Sequence, residues 1–379
     1  QVVFRKPLSV HDKRPRARCG LALIDITAQD HIKLLGVLHQ VKDRNTYVCN
    51  PVDLEALWDF LFETGFIYPA KYALIEKNKK EIKETYAKLY RSGLDIARHF
   101  VYQDNGAILG HMAMIRFWQN TWLIHHHAAR KSALTKAGLA VLRQISHFTH
   151  DTHRLRNLHM DYLACYYRPQ NKFPRRVFGG FAQSMGNPQA CSVDRFAYLR
   201  LPVPAAAGGA LPEGWQVRPA TDRDVSDLNG YYQRVSGGLM LRAFDLEPGS
   251  WQADALDREY GALGFQRIRR LLALTHRGRL KVLLIACRSD FGLNLSDLTR
   301  CVHAIVLDPE GLDPETFTTS VQLASRSVGL EDIVALVYPE RYPAEHSIPT
   351  EKTYDLWAFH VYAAGQAYLK YLSRLTRHL

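Results

Sequence analysis

Hydrophobic and polar positions alternate in strand-like and helix-like patterns that follow one another in a fixed order. An apolar run at 121–124 passes into polar residues, and apolar side chains then recur at helical spacing over 138–148. A second apolar run follows at 159–167. This order predicts a strand, a helix and a further strand, which is typical of an α/β fold with a mixed, twisted sheet flanked by helices.

The residues before this stretch predict two helices and a hairpin. A helix is predicted through Phe62, with Asn50 at its cap and Pro51 at its first position, and a second helical pattern lies at 78–90. The turn sequence Asp104-Asn105-Gly106 joins strand patterns at 97–102 and 107–118, because Asn-Gly favours a tight hairpin. A strand over 191–201 is predicted to close the sheet of this first unit.

The same order of elements returns in the second part of the chain. Strand patterns lie at 269–275, 280–287, 301–307 and 332–338, and a helix is predicted over 314–327. A segment rich in Pro, Ala and Gly precedes the repeat. The predicted organisation is a basic arm or linker over 1–45, a domain over 46–201, a linker over 202–214 and a second domain over 215–379.

Charge and cysteine content limit the classes of function. The net charge of +12 favours anionic partners such as nucleotides, coenzyme A or nucleic acid, although it also suits plain solubility. The six cysteines are scattered and form no Cys-x-x-Cys pair, so neither a disulfide framework nor a zinc knuckle is indicated. A cytoplasmic location is expected, and no apolar run is long enough to predict a membrane span.

The motif Thr135-x-x-Gly138-x-Ala140 opens the predicted helix, Asn171 ends the following strand, and Phe-Gly-Gly-Phe stands at 178–181. In these positions the chain resembles the GNAT acetyltransferase family, whose acetyl-CoA motif has Gln or Arg where this chain has Thr135. The resemblance covers roughly residues 45–200 and implies that acetyl-CoA or another acyl-CoA binds at the helix start. The second copy lacks the glycine motif and looks like the same fold without a coenzyme site.

The resemblance implies two groups of site residues. The candidates for binding the coenzyme are Arg130, Lys131, Thr135, Lys136, Gly138, Ala140 and Asn171. The candidates for catalysis are His125, His127, Tyr166 and Tyr167, since imidazole and phenol groups transfer protons. Each has a simpler explanation as core, surface charge or helix cap. His125 and His127 would share one strand face and could hold a metal, but no third ligand is indicated.

Three functions follow from these observations. The first is an N-acyltransferase that moves an acyl group from acyl-CoA to a small-molecule or peptide amine. The second is an inactive tandem GNAT-fold module that senses a ligand or binds a partner. The third is an aminoacyltransferase of the Fem type. In addition, Arg14 and Arg18 resemble the first half of the PilZ motif, which would imply a cyclic-di-GMP or other nucleotide ligand at the basic arm, although a solvated basic linker is the favoured explanation.

Overall fold

The computed structural model describes residues 2–7, 17–21, 26–49, 52–91, 95–131, 134–202, 209–249, 251 and 255–377. Strands and helices alternate through these ranges, and the predicted mixed α/β fold class is confirmed. The candidate nucleotide-binding residue Arg14 lies outside the described residues, whereas Arg18 lies on a strand. None of the described helices is both long enough and apolar enough to cross a bilayer.

The strands follow one another along the whole chain. In chain order they are β1 (Val2–Pro7), β2 (Ala17–Leu21), β3 (Thr46–Val48), β4 (Ala97–Asp104), β5 (Ala107–Trp118), β6 (Thr121–Ala129), β7 (Tyr162–Tyr167), β8 (Cys191–Leu201), β9 (Trp215–Pro219), β10 (Arg267–His276), β11 (Arg279–Ser289), β12 (Val302–Val306), β13 (Ile333–Tyr338) and β14 (Lys352–His360).

The helices flank these strands. They are α1 (Ala28–Lys42), α2 (Leu54–Glu63), α3 (Pro69–Lys77), α4 (Lys79–Arg91), α5 (Leu134–Thr152), α6 (Lys172–Pro174), α7 (Gly180–Met185), α8 (Asp222–Val235), α9 (Met240–Ala243), α10 (Ala255–Ala262), α11 (Pro314–Ser327), α12 (Arg341–Glu345) and α13 (Val361–Arg377). A π-helical turn over Arg175–Gly179 joins α6 to α7.

Within the described residues, twelve strands form one continuous sheet in the order β3-β4-β5-β6-β7-β14-β8-β13-β12-β11-β10-β9. The order is symmetric about its centre, because each strand from β3 to β8 has its counterpart six strands later in the chain. Two separate sheets were expected from the sequence. The repeat in element order is present, but the two halves share a single sheet.

The two halves are joined by an exchange of their last strands. β14 lies between β7 and β8, and β8 lies between β13 and β14. The exchanged strands pair with each other antiparallel from Cys191↔Phe359 to Tyr198↔Lys352. Each half therefore obtains one strand of its sheet from the other half, and neither half has its complete set of backbone hydrogen bonds without the other.

The pairing of β6 with β7 stops early, and this feature positions the candidate site. The two strands run parallel and pair only from Thr121↔Tyr162 to Ile124↔Cys165. β6 continues to Ala129 along β5, with a bulge at His126, whose φ is 52°. Such a bulge bends the strand. A gap consequently opens in the sheet between the end of β6 and the end of β7.

Separate hydrophobic cores cover the two faces of the sheet in the first half. On one face, α5, α7 and α13 bury side chains such as Leu142, Phe181 and Tyr368. On the other face, α2 and α4 bury Leu57 and Tyr86 in a core that extends without interruption into the second half. We call these two faces the α5 face and the α2 face.

Several elements differ from the sequence-based predictions. Residues 28–42 form a helix within the segment that was expected to be an arm or linker, and β1 pairs with β2 in the same segment. Asp53 caps α2, because its carboxylate accepts the N–H groups of Glu55 and Ala56. The predicted cap residues Asn50 and Pro51 lie outside the described residues, as does 203–208 in the predicted linker. The domain boundaries stay a prediction.

Candidate functional site

A cleft of about 400 Å³ occupies the gap between β6 and β7. Side chains from both faces of the sheet line it, with Phe173 and Phe178 on the α5 face and Phe66 and Leu298 on the α2 face. The cleft is therefore an opening through the sheet. Six of the residues predicted from the sequence line it: His125, His127, Gly138, Tyr166, Tyr167 and Asn171.

His126 is held in place by contacts to both halves of the chain. Its Nε2 accepts the N–H of Leu295 at 3.2 Å, so the ring proton lies on Nδ1, which bonds to the Tyr86 hydroxyl at 3.1 Å. The bulge brings His126 to the cleft together with its neighbours, and the strict alternation expected along this strand is wrong. His126 is a structural link between the halves.

His127 is tied to the start of α5. Its Nε2 donates to the carbonyl oxygen of Gly138 at 3.2 Å, and its ring lies 5.2 Å from the ring of Phe173. Burial lowers the pKa of His127 to about 4. The imidazole is therefore neutral at pH 7, and one of its two nitrogens is already engaged by the helix.

His125 differs from the histidines around it, because its imidazole makes no hydrogen bond to any described residue. His111, on the neighbouring strand, is bonded through Nδ1 to the carbonyl oxygen of His126 at 3.2 Å. Burial lowers the pKa of His125 to about 3, so the ring is neutral across the physiological range. The ring of His125 packs on that of His126 at 4.0 Å, but of the two histidines that the sequence suggested for catalysis it is the one without a hydrogen-bond partner among the described residues.

The two tyrosines at the end of β7 point to opposite faces, as neighbours on a strand do. Tyr166 packs on the α2 face, and its hydroxyl is bonded to Nε2 of His303 at 2.8 Å. Tyr167 packs on the α5 face beside Phe178. Burial raises the pKa of both phenols, so both stay protonated at neutral pH.

The predicted coenzyme residues around α5 have different surroundings. Gly138 is buried and lines the cleft, whereas Ala140 is half-buried and does not line it. Arg130 forms an ion pair with Glu63 at 2.8 Å, and Lys131 is exposed. The side chains of Thr135 and Lys136 lie outside the described residues. The helix start itself carries free backbone N–H groups in its first turn, as every α-helix does.

Asn171 and the glycine pair near 180 have clear local roles. The exposed side chain of Asn171 lines the cleft and makes no capping hydrogen bond to α6, so capping does not explain it. A Cβ added at Gly179 would lie 2.7 Å from the Tyr167 hydroxyl, and one at Gly180 would lie 2.6 Å from the Tyr371 hydroxyl. The two glycines let this segment pack closely against those hydroxyls.

A further group of residues, on the α2 side of the cleft, carries no motif that would reveal it in the sequence. These residues are Tyr68 just before α3, Lys71 within α3, Arg168 after β7, Asn294 and Ser296 in the second half, and Tyr354 on the exchanged strand β14. Lys71 Nζ donates to the carbonyl oxygen of Leu295 and to the hydroxyl of Ser296, each at 2.9 Å. Both halves therefore build the cleft.

Among the described residues of the second half, the parallel pair β12–β13 stays paired almost to the end of β12. β12 ends at Val306, next to its last pair with β13 at Ile305. In the acidic loop that follows, Asp308 bonds to Lys281 and Asp313 caps α11. Among the described residues there is also no group of three or more His, Cys, Asp or Glu side chains arranged to hold a metal ion.

No family model matches the sequence, and no curated protein matches it. The solved structures that are similar include a GCN5-related N-acetyltransferase from Sphaerobacter thermophilus, with 11% identity and a TM-score of 0.42 over 84% of this chain and 96% of that one. A putative acetyltransferase from Pyrococcus horikoshii has 10% identity and a TM-score of 0.41 over 84% and 90% of the two chains.

A tandem GNAT protein from the clavulanic acid biosynthesis pathway is also similar, with 11% identity and a TM-score of 0.34 over 74% of this chain and 95% of that one. The structures that this chain is similar to thus include members of the family whose motifs its sequence resembles.

Proposed function

We propose that this chain is an N-acyltransferase that uses acetyl-CoA or another acyl-CoA and transfers the acyl group to an amine. One observation carries the proposal: the strands β6 and β7 separate after Ile124↔Cys165 beside the start of α5. A gap between parallel strands is a narrow passage into which a long, thin acyl donor can insert. The adjacent helix start offers N–H groups to its phosphates.

The start of α5 suits a pyrophosphate for two reasons. The N–H groups of the first turn and the positive end of the helix dipole both favour an anion. Gly138 has no side chain, and it lines the cleft where a larger residue would take up space. A Cβ there would lie 3.5 Å from both Ala129 and His127, which is an ordinary contact. The fold alone therefore does not demand glycine at this position, and a role in binding explains it better.

The side chains at the gap supply the remaining requirements of acyl transfer. When the neutral amine attacks the thioester carbonyl, the C–N bond forms and the C–S bond breaks. The proton that the amine loses is balanced by the proton that the departing sulfur gains, so the coenzyme leaves as its thiol. His125 is the imidazole without a hydrogen-bond partner, so it can accept a hydrogen bond from the amine. With a pKa of about 3 it is a weak base, and the amine must therefore react in its neutral form. Tyr167 stays protonated and can donate to the departing sulfur.

A ligand-binding module without turnover is the second candidate. It is favoured by the hydrogen bonds that already engage His127 and Tyr166, two of the four predicted catalytic side chains. In that case the cleft would bind acyl-CoA or CoA, and no acyl group would leave. The aminoacyltransferase alternative has no specific support beyond the positive charge.

Release of free CoA thiol from acetyl-CoA in the presence of a panel of amines tests the proposal. We expect turnover with at least one amine, and we expect His125→Asn to lower kcat about tenfold, because one hydrogen bond that orients the amine contributes about 0.5–1.5 kcal/mol. His153→Asn is the matched control, because His153 directly follows α5 and does not line the cleft. Binding of acetyl-CoA without turnover of any amine would support the ligand-binding module instead.

A further inference from the structure

We infer that the acceptor substrate is an amine that carries a negatively charged group, and that Lys71 and Arg168 bind this group on the α2 face of the cleft. The inference rests on the proposed function and adds the chemical class of the acceptor. It depends on three observations: the cleft passes through the sheet, two cations line its α2 end, and neither has a carboxylate partner among the described residues.

The cleft is lined from both faces of the sheet, and we call its two sides the α5 end and the α2 end. Gly138, Phe173 and Phe178 line the α5 end, where the helix start favours the phosphates of an acyl donor. A donor that enters from that side fills the passage as far as the gap between the strands. The amine must then reach the thioester from the α2 face. The residues at that end are therefore placed to select the acceptor.

Lys71 and Arg168 both line this α2 end. The ammonium of Lys71 lies 5.2 Å from the ring centre of Tyr68, and the guanidinium of Arg168 lies 5.9 Å from the same ring. Both cations therefore lie close to the same aromatic ring, that of Tyr68, at the α2 end of the cleft. The hydrogen bonds of Lys71 to Leu295 and Ser296 fix its position, and both acceptors are uncharged groups.

The ion pairs among the described residues around the cleft do not include Lys71 or Arg168. In the part of the chain that the structure describes, no carboxylate lies within 4.0 Å of Lys71 or Arg168. The nearby carboxylates have other partners: Asp297 pairs with Arg200 at 3.7 Å, and Glu351 pairs with Lys352 at 2.9 Å. Burial also lowers the pKa of Lys71 to about 8, because the half-buried ammonium loses part of its water shell.

A poorly solvated cation without a counter-ion binds an anion more strongly than an exposed one, because less water has to be displaced. Arg168 can add a two-pronged contact, since its guanidinium matches the geometry of a carboxylate or a phosphate. Carboxylates and phosphates share this chemistry, so acceptors of both kinds have to be compared.

The test uses matched pairs of amines and the full-length protein. The pairs are amino acids with their neutral amides, and phosphoethanolamine with ethanolamine, each assayed with acetyl-CoA for kcat/KM and by calorimetry for binding. We expect the charged member of at least one pair to be preferred about tenfold or more. Preference within the amino-acid pairs would identify a carboxylate, and preference for phosphoethanolamine would identify a phosphate.

The variants Lys71→Met and Arg168→Gln should each reduce this preference several-fold. Lys88→Met is the matched control, because Lys88 also donates to a carbonyl of the second half, that of Gly264 at 3.1 Å, but does not line the cleft. It should leave the preference unchanged. If Lys71→Met and Lys88→Met have equal effects, the role of Lys71 is structural and the inference is overturned.

Two other results would also overturn the inference: equal use of charged and neutral members in every pair, or no interaction with any charged amine. Titration with acetyl-CoA alone separates these results from failure of the proposed function. A chain that binds acetyl-CoA but shows no preference contradicts only the acceptor subsite. A chain that does not bind acetyl-CoA contradicts the proposed function itself.

Discussion

The Nε2 atom of His126 on β6 accepts the backbone N–H of Leu295 in the second half at a distance of 3.2 Å. His126 lies at the bulge where β6 turns away from β7, and Leu295 precedes Ser296 and Leu298, which line the same cleft. The shape of the opening is therefore coupled to the packing of the two halves.

This relationship predicts the effect of His126→Phe. The substitution keeps an aromatic ring of similar size but leaves the buried N–H of Leu295 and the hydroxyl of Tyr86 without their partner. We expect the free energy of unfolding to fall by about 1–3 kcal/mol, the usual cost of an unsatisfied buried polar group. Urea denaturation measures it. His360→Phe, at a half-buried ring on β14 that stacks on Tyr162, should change stability by less than about 0.5 kcal/mol.

The exchange of β8 and β14 predicts that the halves stay together after the chain is cut. A protease site inserted between residues 202 and 214 should allow cleavage, and both fragments should elute as one complex from a sizing column. They should separate only in denaturant, because β14 pairs with β7 and β8 along its length. Expressed alone, residues 46–201 would leave β7 and β8 with open edges and should aggregate or self-associate. A stable, monomeric 46–201 fragment would contradict the exchange.

Because several histidines are buried in neutral form, we predict that the free energy of unfolding falls in acid. Burial lowers the pKa to about 4 for His111 and His127 and to about 3 for His125 and His303. The unfolded chain binds these protons below about pH 6.5 and the folded chain does not, so stability is lost as the pH falls from 6.5 towards 4. Each histidine contributes a slope of about 1.4 kcal/mol per pH unit in that range.

Urea titrations at pH 7, 6 and 5 measure this slope. His125→Gln removes one titrating group and should make the dependence shallower by about one histidine's share. A free energy of unfolding that stays constant between pH 7 and 5 would show that these rings are not buried in neutral form.

The acceptor subsite predicts a pH dependence of its own. Lys71 loses its proton as the pH rises through about 8, so the preference for a charged acceptor should decline above that pH, and a bound anion should shift the decline upwards. The charged and titratable groups that face Lys71 are Asp297, Lys352, Arg168, His126 and Tyr68. Lys71→Arg should keep the preference at pH 9. An identical pH profile in the wild type and in Lys71→Arg would exclude Lys71 as the responsive group.

The sequence predicts the local elements of this fold better than their arrangement. β5 and α11 lie at the predicted residues, and Asn105 and Gly106 adopt the positive φ values that the hairpin turn requires. The exchange of β8 and β14 was not predictable, because it depends on pairing between strands about 160 residues apart, as in Arg195↔Asp355. Hydrophobic patterns identify strands but not which distant strand each one joins.

For the candidate site, too, the sequence predicts residues that are close along the chain but not those that come together only on folding. Gly138, Asn171 and the residues at the ends of β6 and β7 were found because they are close together in the sequence. Lys71, Ser296 and Tyr354 were missed, because they come from separate segments that meet only in the folded chain. The helix α1 was missed because few of its side chains are buried, mainly Ile32 and Leu35, so its pattern is weak.

Calorimetric titration with acetyl-CoA tests the central claim most directly. We expect the wild-type protein to bind one acetyl-CoA, Gly138→Ala to bind it more weakly, and Gly138→Asp not to bind it detectably, because a carboxylate there repels the pyrophosphate. Far-UV circular dichroism and thermal melting check that both variants are folded. If wild type does not bind acetyl-CoA, or if folded Gly138→Asp binds it as tightly as wild type does, the cleft beside α5 is not an acyl-CoA site.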